Sequence, residues 1–444
     1  MKDKAIVVSE SLRLDLDPAV MENMARQTGF MKRFRKIQPV HFIETFLALT
    51  FNTVFSLRVC AIVLGLLACT VVSKVALFKK LTSRAVDFMS HVLFYLLAKT
   101  SQLHQEVDKG VFSPFRRVLL NDSTNISLPS KLAQVFPGAK NQSGKTSASL
   151  KLQTTYEVLT ETFVSFRLTL YSCNDQCASP LILEILEKGD LILRDLGYFS
   201  LKVFRSICAK GAFYLTRYWH KVALYAPDGE RFDLLGHLQR HGSLDQRLLA
   251  GAKERLPVRV VAIPVPDHIA AERRRKLLQD QKRDRRLHPS KTQLALLGWE
   301  IFITNVEEKV WDTETTCRIY GIRWRIEIVF KSWKSHFHIN AFQYPTANEV
   351  KLLIYSRLIF ITLFQTHFYE QIATYTYETS GKHLSLLKTA QFFQQQFWLV
   401  LFVLRQLHSP SLIIDQILEH CTYEKRKRLN HGQLLHFLTD GSLS

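Results

Sequence analysis

The order of apolar runs between residues 115 and 218 restricts the fold of this chain more than any other feature. RRVLLND ends in Asp122, and the next two runs, SASLKLQTTYEV and ETFVSFRLTLYS, alternate as paired strands do. After them come SPLILEILEKGD, a predicted helix, LILRDLGYF, a predicted buried strand that ends at Asp195, SLKVFRSICAKG, a helix, and AFYLTRYW, a strand. The order strand, strand, strand, helix, strand, helix, strand is typical of the α/β class.

Segments of different character flank this core. Residues 18–108 are predicted to be helical, with Ser56 and Ser73 as N-caps. Between 219 and 312, ERFDLLGHL and LPVRVVAIPVP are predicted strands, AERRRKLLQDQKRDRR is a basic helix or loop, and WEIFITNV is a last strand. The predicted division is a helical region at 1–108, a core at 109–218, a mostly β insertion at 219–312, the last core helix at 313–345 and a helical region at 346–444.

The charge balance points to a polyanionic partner. The 444 residues carry a net charge of +20, and 47% of them are hydrophobic, enough for a packed core. So basic a chain favours nucleic acid or an acidic membrane face. The seven cysteines lack zinc-site spacing, since Cys173 and Cys177 form a lone C-x-x-x-C, and we expect reduced thiols in a cytosolic protein.

Two apolar runs raise the alternative of a membrane protein. The run at 59–72 is shorter than the ~20 residues that cross a bilayer, and the run at 352–364 is interrupted by Arg357. The first residues contain no apolar segment of the kind that directs secretion. We therefore expect both runs to form buried helices, and we expect no membrane partner.

The stretch YGIRWRIEIVFKSWK, residues 320–334, mixes charged and apolar residues in a helical pattern. At about 100° per residue, one stripe of the helix holds Tyr320, Arg323, Glu327 and Lys334. The opposite stripe is apolar and consists of Ile322, Ile326, Val329 and Trp333. One interpretation is a surface salt-bridge face, in which Arg323 and Glu327 pair at i, i+4.

The other interpretation is a metal site that acts on phosphodiesters. Asp122 and Asp195 end predicted strands that can lie side by side, and a following helix can bring Glu327 over them. Three converging carboxylates require a cation, and hard divalent ions such as Mg²⁺ suit oxygen ligands. Two such ions would clamp the attacking and leaving oxygens of a phosphodiester. The side chains that would bind neighbouring phosphates are Arg323, Lys334 and Tyr320.

These motifs resemble those of a known family. The spacing Tyr-x-x-Arg-x-x-x-Glu-x-x-x-x-x-x-Lys, which starts at Tyr320 and ends at Lys334, is similar to the signature of the insertion-sequence-four group of DDE transposases. LLNDST and GDLILRDLGYF resemble the segments with the family's first and second aspartates, and WEIFITNV resembles the strand before the signature. ARQTGFMKRFRKIQPVHFIETFLALTF resembles the family's helical end-binding region, so the likeness covers most of the chain.

The resemblance implies a ribonuclease-H-like mixed-sheet core with Asp122, Asp195 and Glu327 as the catalytic, metal-binding triad. It implies Mg²⁺, for which Mn²⁺ can substitute, with two ions expected. The implied activity is excision and strand transfer of an insertion element at its terminal inverted repeats, by a hairpin cut-and-paste route. The implied partners are double-stranded DNA, as element ends and as target, and a second copy of the chain on paired ends. Such a protein works in the bacterial cytoplasm, on the nucleoid.

Further DNA contacts are expected outside the triad. In hairpin-forming relatives a Trp of the insertion stacks on a flipped base, and Trp299 is the candidate here, with a core tryptophan as the alternative. The basic residues expected on DNA are Arg33, Arg35, Lys74 and Lys331. Solvated lysines of an ordinary helical bundle are the alternative for the N-terminal ones. Two other functions stay open, a catalytically inactive DNA-binding descendant and a structure-specific nuclease on the same fold.

Overall fold

The computed structural model describes residues 16–33, 37–52, 55–101, 109–140, 144–283, 288–342, 346–396, 410–424 and 429–440. Interleaved parts of the chain form two units. The first unit comprises Met1–Val107, Ser123–Ser172 and Arg325–Leu434. The second unit comprises Asp108–Asp122, Cys173–Trp324 and Leu435–Ser444.

The strands and helices of the described residues are as follows. The strands are β1 (Val118–Leu128), β2 (Pro137–Lys140), β3 (Thr146–Glu157), β4 (Thr162–Leu170), β5 (Leu191–Arg194), β6 (Phe213–Arg217), β7 (Leu224–Tyr225), β8 (Leu244–Ala250), β9 (Leu256–Pro264) and β10 (Trp299–Thr304). The helices are α1 (Pro18–Gln27), α2 (Pro39–Ala48), α3 (Leu57–Leu67), α4 (Lys74–Phe78), α5 (Ser83–Thr100), α6 (Asp175–Ala178), α7 (Leu201–Ala209), α8 (Leu234–His241), α9 (Asp267–Arg283), α10 (Lys291–Leu296), α11 (Thr313–Tyr320), α12 (Trp324–Ser335), α13 (Ala347–Phe364), α14 (Glu370–Ser380), α15 (Leu386–Gln395), α16 (Pro410–His420) and α17 (His431–Asp440).

The second unit is built on a mixed sheet in the order β1-β5-β6-β10-β9-β8-β7. Strands β1, β5 and β6 are parallel, with Asn121 opposite Arg194 and Arg194 opposite Thr216, and the later strands are antiparallel to their neighbours. The apolar residues of these parallel strands are buried, as in sheets whose two faces are covered. Helix α7 makes the crossover from β5 to β6.

A buried carboxylate links the starts of β1 and β5. Asp190 is fully buried, and its Oδ2 lies 2.6 Å from Nη2 of Arg117, while its Oδ1 lies 3.2 Å from Nη1 of Arg116. The backbone N–H of Glu187 also donates to Asp190 Oδ2, at 2.8 Å. Asp190 is the shared, buried partner of both arginines, so these ion pairs stabilise one pairing of the two strands. It therefore supports the register four residues further along, where both strands approach the predicted aspartates.

The first unit combines β2, β3, β4 and the end of β1 with helices. The strand order is β2-β3-β1, and β4 pairs with β3 in an antiparallel hairpin. Trp333 of α12 is buried against Phe163 and Phe166 of β4. Helix α13 packs against α5, and a cluster of aromatic rings fills the core beside it, consisting of Phe337, Phe360, Phe364 and Phe393.

The predicted fold class is confirmed, an α/β fold with a large mixed sheet and helical flanks. Of the predicted order of elements, the strands β1, β3, β4, β5 and β6 and the helix α7 are present. The N-caps are also confirmed, because Ser56 Oγ accepts from the backbone N–H of Val59 and Ser73 Oγ from that of Ala76. These features follow from local pattern and capping chemistry, which act over a few residues.

Other local predictions were wrong. ERFDLLGHL, predicted as a strand, leads into helix α8, whose N-cap Asp233 accepts a hydrogen bond from the backbone N–H of Gly236. SPLILEILEKGD forms the 3₁₀ turn Ser179–Glu184 after α6 instead of a regular helix, and Pro180 at its start lacks an N–H. Between 219 and 312, the three helices α8, α9 and α10 accompany the strands.

The two apolar runs differ in burial. In α13 the run at 352–364 is buried almost throughout, as expected. In α3, however, Leu64 is buried while Ile62 and Leu66 are 55% and 73% exposed, so the expectation of a buried helix was wrong for its outer side. Helix α3 packs on α2 and on α4, and these contacts bury Cys60, Ala61, Leu64 and Gly65 but leave Ile62 and Leu66 exposed. Among the described residues, no helix is both long and apolar enough to cross a membrane. The seven cysteines are free thiols.

A partly buried carboxyl group in the first unit makes the stability pH-dependent. Burial, together with the nearby carboxylates of Glu161 and Glu157, raises the pKa of Glu370 from 4.5 to about 8. The folded state therefore binds a proton that the unfolded chain releases at lower pH. This contribution to stability is fully present below the unfolded pKa of 4.5 and is lost as the pH rises through 8.

We expect Glu370→Gln to stabilise the protein at pH 9 and to have little effect at pH 5, because glutamine cannot ionise. The expected gain at pH 9 is at least about 1.4 kcal/mol, the equivalent of one pKa unit, which allows for partial exposure. Thermal unfolding of wild type and variant across this pH range measures it. Glu378→Gln, on the exposed side of the same helix, is the matched control and should show no such trend. If the stability difference between variant and wild type were the same at pH 5 and at pH 9, the raised pKa of Glu370 would be contradicted.

Candidate active site

Charged residues follow the last register pairs between three parallel strands, β1, β5 and β6. Asp122 was predicted to end its strand, but β1 continues through it to Leu128. Strands β1, β5 and β6 are in register at Asn121, Arg194 and Thr216. The residues one step further along the chain are Asp122, Asp195 and Arg217. Adjacent strands are about 4.8 Å apart, so two carboxylates and a guanidinium group become neighbours. Both aspartates are half-buried, and the arginine is exposed.

The residues just before the two aspartates bind each other. Arg194 is fully buried, and its Nε and Nη2 donate to Oδ1 of Asn121 at 3.2 and 2.9 Å. Its Nη1 and Nη2 donate to Oγ and to the carbonyl of Ser179 at 2.9 and 3.0 Å. Burial lowers the pKa of Arg194 to about 10, which leaves it charged near neutral pH. Side chains alternate between the two faces of a sheet along a strand. The contact between Arg194 and Asn121 therefore lies on the face opposite the aspartates, and it supports the sheet from that face.

Arg323 neutralises one of the aspartates. It ends the 3₁₀ turn Gly321–Arg323, and its largely buried Nη1 lies 3.5 Å from Oδ2 of Asp122. The sequence left two interpretations of Arg323, a surface ion pair with Glu327 and a phosphate-binding residue. In the second unit its guanidinium group faces Asp122 of β1.

Tyr320 is buried behind this cluster. Its hydroxyl group donates to the carbonyl oxygen of Arg194 at 3.2 Å, and its ring packs on Phe302. The guanidinium groups of Arg217 and Arg323 lie 5.4 and 5.7 Å from the ring centroid. Burial raises the pKa of Tyr320 to about 12, and Asp195 adds to the rise, against the effect of the arginines. The phenol is therefore neutral, and it ties the end of β5 to α11.

The remaining signature residues lie on α12, in the first unit. Glu327 is half-buried, and Lys331 and Lys334 are exposed. The apolar stripe is buried as predicted, with Ile326, Val329 and Trp333 at most 1% exposed. The predicted single helix is interrupted, because Tyr320 ends α11 and α12 begins at Trp324.

The other predicted DNA contacts are distributed over the chain. Trp299 begins β10, is half-buried, and donates from Nε1 to the carbonyl of Gly242 at 2.7 Å. Arg33 and Lys74 are exposed in the first unit, and Lys74 opens α4. Arg35 lies outside the described residues.

The two aspartates beside the parallel strands offer donors that suit a hard cation. Asp122 and Asp195 offer carboxylate oxygens, the ligands that Mg²⁺ prefers, and the ion pair between Asp122 and Arg323 marks a place where positive charge is stabilised. Within the described ranges, no group of three or more His, Cys, Asp or Glu side chains is arranged to hold a metal ion.

Comparison with known proteins defines the class. The family described as "Transposase DDE domain" matches residues 113–363, and the chain therefore belongs to the DDE transposase family. It is 27% identical over 387 residues to the transposase for insertion sequence element IS231B of Bacillus thuringiensis subsp. berliner, covering 81% of this chain and 79% of that protein. It is 24% identical over 393 residues to the transposase for IS1151 of Clostridium perfringens, covering 82% and 81%.

Two further comparisons cover most of the chain. The transposase for IS421 of Escherichia coli is 26% identical over 356 residues, covering 77% of this chain and 88% of that protein. Among solved structures, a chain of the piggyBac transposase synaptic complex with hairpin DNA has a TM-score of 0.46 and 7% sequence identity, covering 96% of this chain and 87% of that one.

Sequence reasoning missed two residues of this site, Arg194 and Arg217. Each had a signal in the sequence. Arg194 directly precedes Asp195 at the end of an apolar run, where a charged residue needs a buried partner, and Asn121 precedes Asp122 in the same way. Arg217 ends the strand after the second aspartate, and parallel strand ends meet at one edge of a sheet.

Proposed function

We propose that this protein is a DNA transposase that excises an insertion element at its terminal inverted repeats and joins it to target DNA by a hairpin cut-and-paste route. The observation that carries the proposal is the alignment of Asp122 with Asp195 on adjacent parallel strands, with Arg323 3.5 Å from the first. Family membership and the signature spacing support it. We place this activity in the bacterial cytoplasm, on DNA of the nucleoid.

Asp122 and Asp195 would hold Mg²⁺, with Mn²⁺ as a substitute, and the family pattern implies that Glu327 joins them. When bound, two such ions neutralise phosphate charge and favour the attack of water or of a 3′-hydroxyl on the phosphodiester. Arg323 is positioned to bind a phosphate beside Asp122, with the planar fork that suits phosphate oxygens. Arg217, exposed next to Asp195, can bind the next phosphate along the strand.

The wider DNA contact is proposed from charge and exposure. Lys331 and Lys334 on α12, and Arg33 and Lys74 in the N-terminal region, are exposed cations suited to phosphate. To these the sequence adds Arg35, Tyr320, and Trp299 as the residue that would stack on a flipped base. We propose that two copies of the chain act on paired element ends.

The test uses the DNA on either side of this gene. The nearest inverted repeats are labelled and incubated with the purified protein and Mg²⁺. We expect nicks at the repeat boundary, followed by a hairpin product, and no reaction in EDTA. A control DNA with scrambled repeats should not be cut.

The other outcomes identify the other functions. Tight binding to the repeats without cutting in Mg²⁺ or in Mn²⁺ would mean an inactive, DNA-binding descendant. Cutting of branched DNA without preference for the repeats would mean a structure-specific nuclease.

A further inference from the structure

A buried ion pair in the first unit joins helix α12 to the turn between β3 and β4. Nη2 of Arg325 donates to Oε2 of Glu161 at 2.6 Å, and the Arg325 side chain is only 1% exposed. Burial by itself would raise the pKa of Glu161, but Arg325 and then His431 outweigh it and hold that pKa below its usual value. Both groups are therefore charged near neutral pH, although they are removed from water.

The turn that carries Glu161 is strained. Glu161 has a φ of +51°, a left-handed conformation that non-glycine residues seldom adopt. The same turn is held from the other side, where Oε2 of Glu157 accepts from the backbone N–H and from Oγ1 of Thr160, each at 2.5 Å. Such a conformation persists only where its surroundings impose it, and it is concentrated at functional sites.

Residues of the C-terminal helical region enclose the ion pair. Nη2 of Arg325 also donates to the hydroxyl group of Tyr369 at 3.2 Å, and this hydroxyl donates to the carbonyl of Leu384 at 3.0 Å. Gln365 Nε2 donates to Oε2 of Glu161 at 3.5 Å, and Nε2 of His431 lies 3.6 Å from its Oε1. Gln365 and Tyr369 bound the π-helical turn between α13 and α14, a rare conformation that is often found at functional sites.

From this geometry we infer that Arg325 is a positioning residue for Glu327, held in place by Glu161 and by Tyr369 of the C-terminal region. The inference rests on the proposed function, in which Glu327 binds the metal. Arg325 precedes Glu327 by two residues, so the two side chains leave α12 about 200° apart. A planar guanidinium bound to acceptors on two other elements fixes the rotation of the first turn of the helix. That rotation sets the direction in which Glu327 points.

The experiment compares Arg325→Lys with wild type. Lysine keeps the charge but loses the fork, so we expect the Mg²⁺ concentration for half-maximal nicking of repeat DNA to rise about 10- to 100-fold, as when residues behind a metal ligand are changed. Binding to the repeats should stay within about twofold, because no phosphate contact is altered. Arg318→Lys, in an exposed ion pair with Glu314, is the matched control and should leave the Mg²⁺ requirement unchanged.

A second readout is independent of cutting. Mg²⁺ binding raises the melting temperature of the folded protein, and Arg325→Lys should need more Mg²⁺ for the same rise. If this variant does not fold, Tyr369→Phe, which removes one acceptor of Arg325 and keeps the ring, should raise the Mg²⁺ requirement by a smaller factor. A lower nicking rate with an unchanged Mg²⁺ requirement would overturn the positioning role and leave the proposed function intact. A wild-type protein that binds no Mg²⁺ would overturn both.

Discussion

Asp195→Asn should lower the rate of DNA end cleavage by at least about a thousandfold while binding to the repeats stays within about twofold. Asparagine has nearly the same shape but no charge, so it removes the proposed metal ligand without disturbing β5. Asp122→Asn should have the same effect, since the two residues lie level on adjacent strands. Cleavage of labelled repeat DNA measures the chemical step, and a gel-shift titration of the same DNA measures binding.

The folded state provides a further check on this prediction. Two neighbouring carboxylates repel each other without a cation, so Asp195→Asn should not melt below the wild type. Asp122→Asn also removes the partner of the largely buried Arg323, so that variant should lose some stability. Asp228→Asn changes an exposed turn of the second unit, where the carboxylate accepts from the backbone N–H of Glu230, and serves as the matched control with wild-type cleavage. If Asp195→Asn cut at the wild-type rate, the catalytic assignment would be wrong.

The largest effect on stability is expected for Arg194→Met. Methionine fills similar space, but Asn121 loses two donors and Ser179 loses two more, all in a buried site. An acceptor left without its donor costs about 1–3 kcal/mol, so the two residues together predict a loss of about 2–6 kcal/mol. Urea unfolding measures this loss of stability as a shift of the unfolding midpoint, provided that the m-value is unchanged.

Two comparisons test the reason for that loss. Arg240→Met removes an exposed arginine from α8 and should change stability by less than about 0.5 kcal/mol. The double variant Arg194→Met with Asn121→Leu should recover part of the loss, because replacing both partners with apolar groups removes the unpaired acceptor. Equal stability of Arg194→Met and wild type would show that this contact does not hold β1 to β5.

Much of the fold followed from local pattern. The apolar runs that became β1, β5 and β6 and the alternation of β3 and β4 predicted the α/β class and the order of its core elements. The apolar stripe of the signature segment predicted which side of α12 is buried, as Ile326 and Val329 show. The apolar pattern wrongly predicted a strand where helix α8 forms. There the N-cap Asp233 stabilises the start of a helix within a short apolar run.

The apolar runs of the sequence were enough to place Asp195 directly after β5 and to show which side of the signature helix is buried. Asp122 was predicted to end its strand, but β1 continues past it to Leu128. The tertiary structure alone decided the partners of the charged residues around them. Arg194 binds Asn121 across 73 positions of the chain, and Arg325 binds Glu161 across 164. The physical reason is that periodicity reports which face of an element is apolar, whereas the burial of a long charged side chain depends on acceptors that only the folded chain brings within hydrogen-bonding distance.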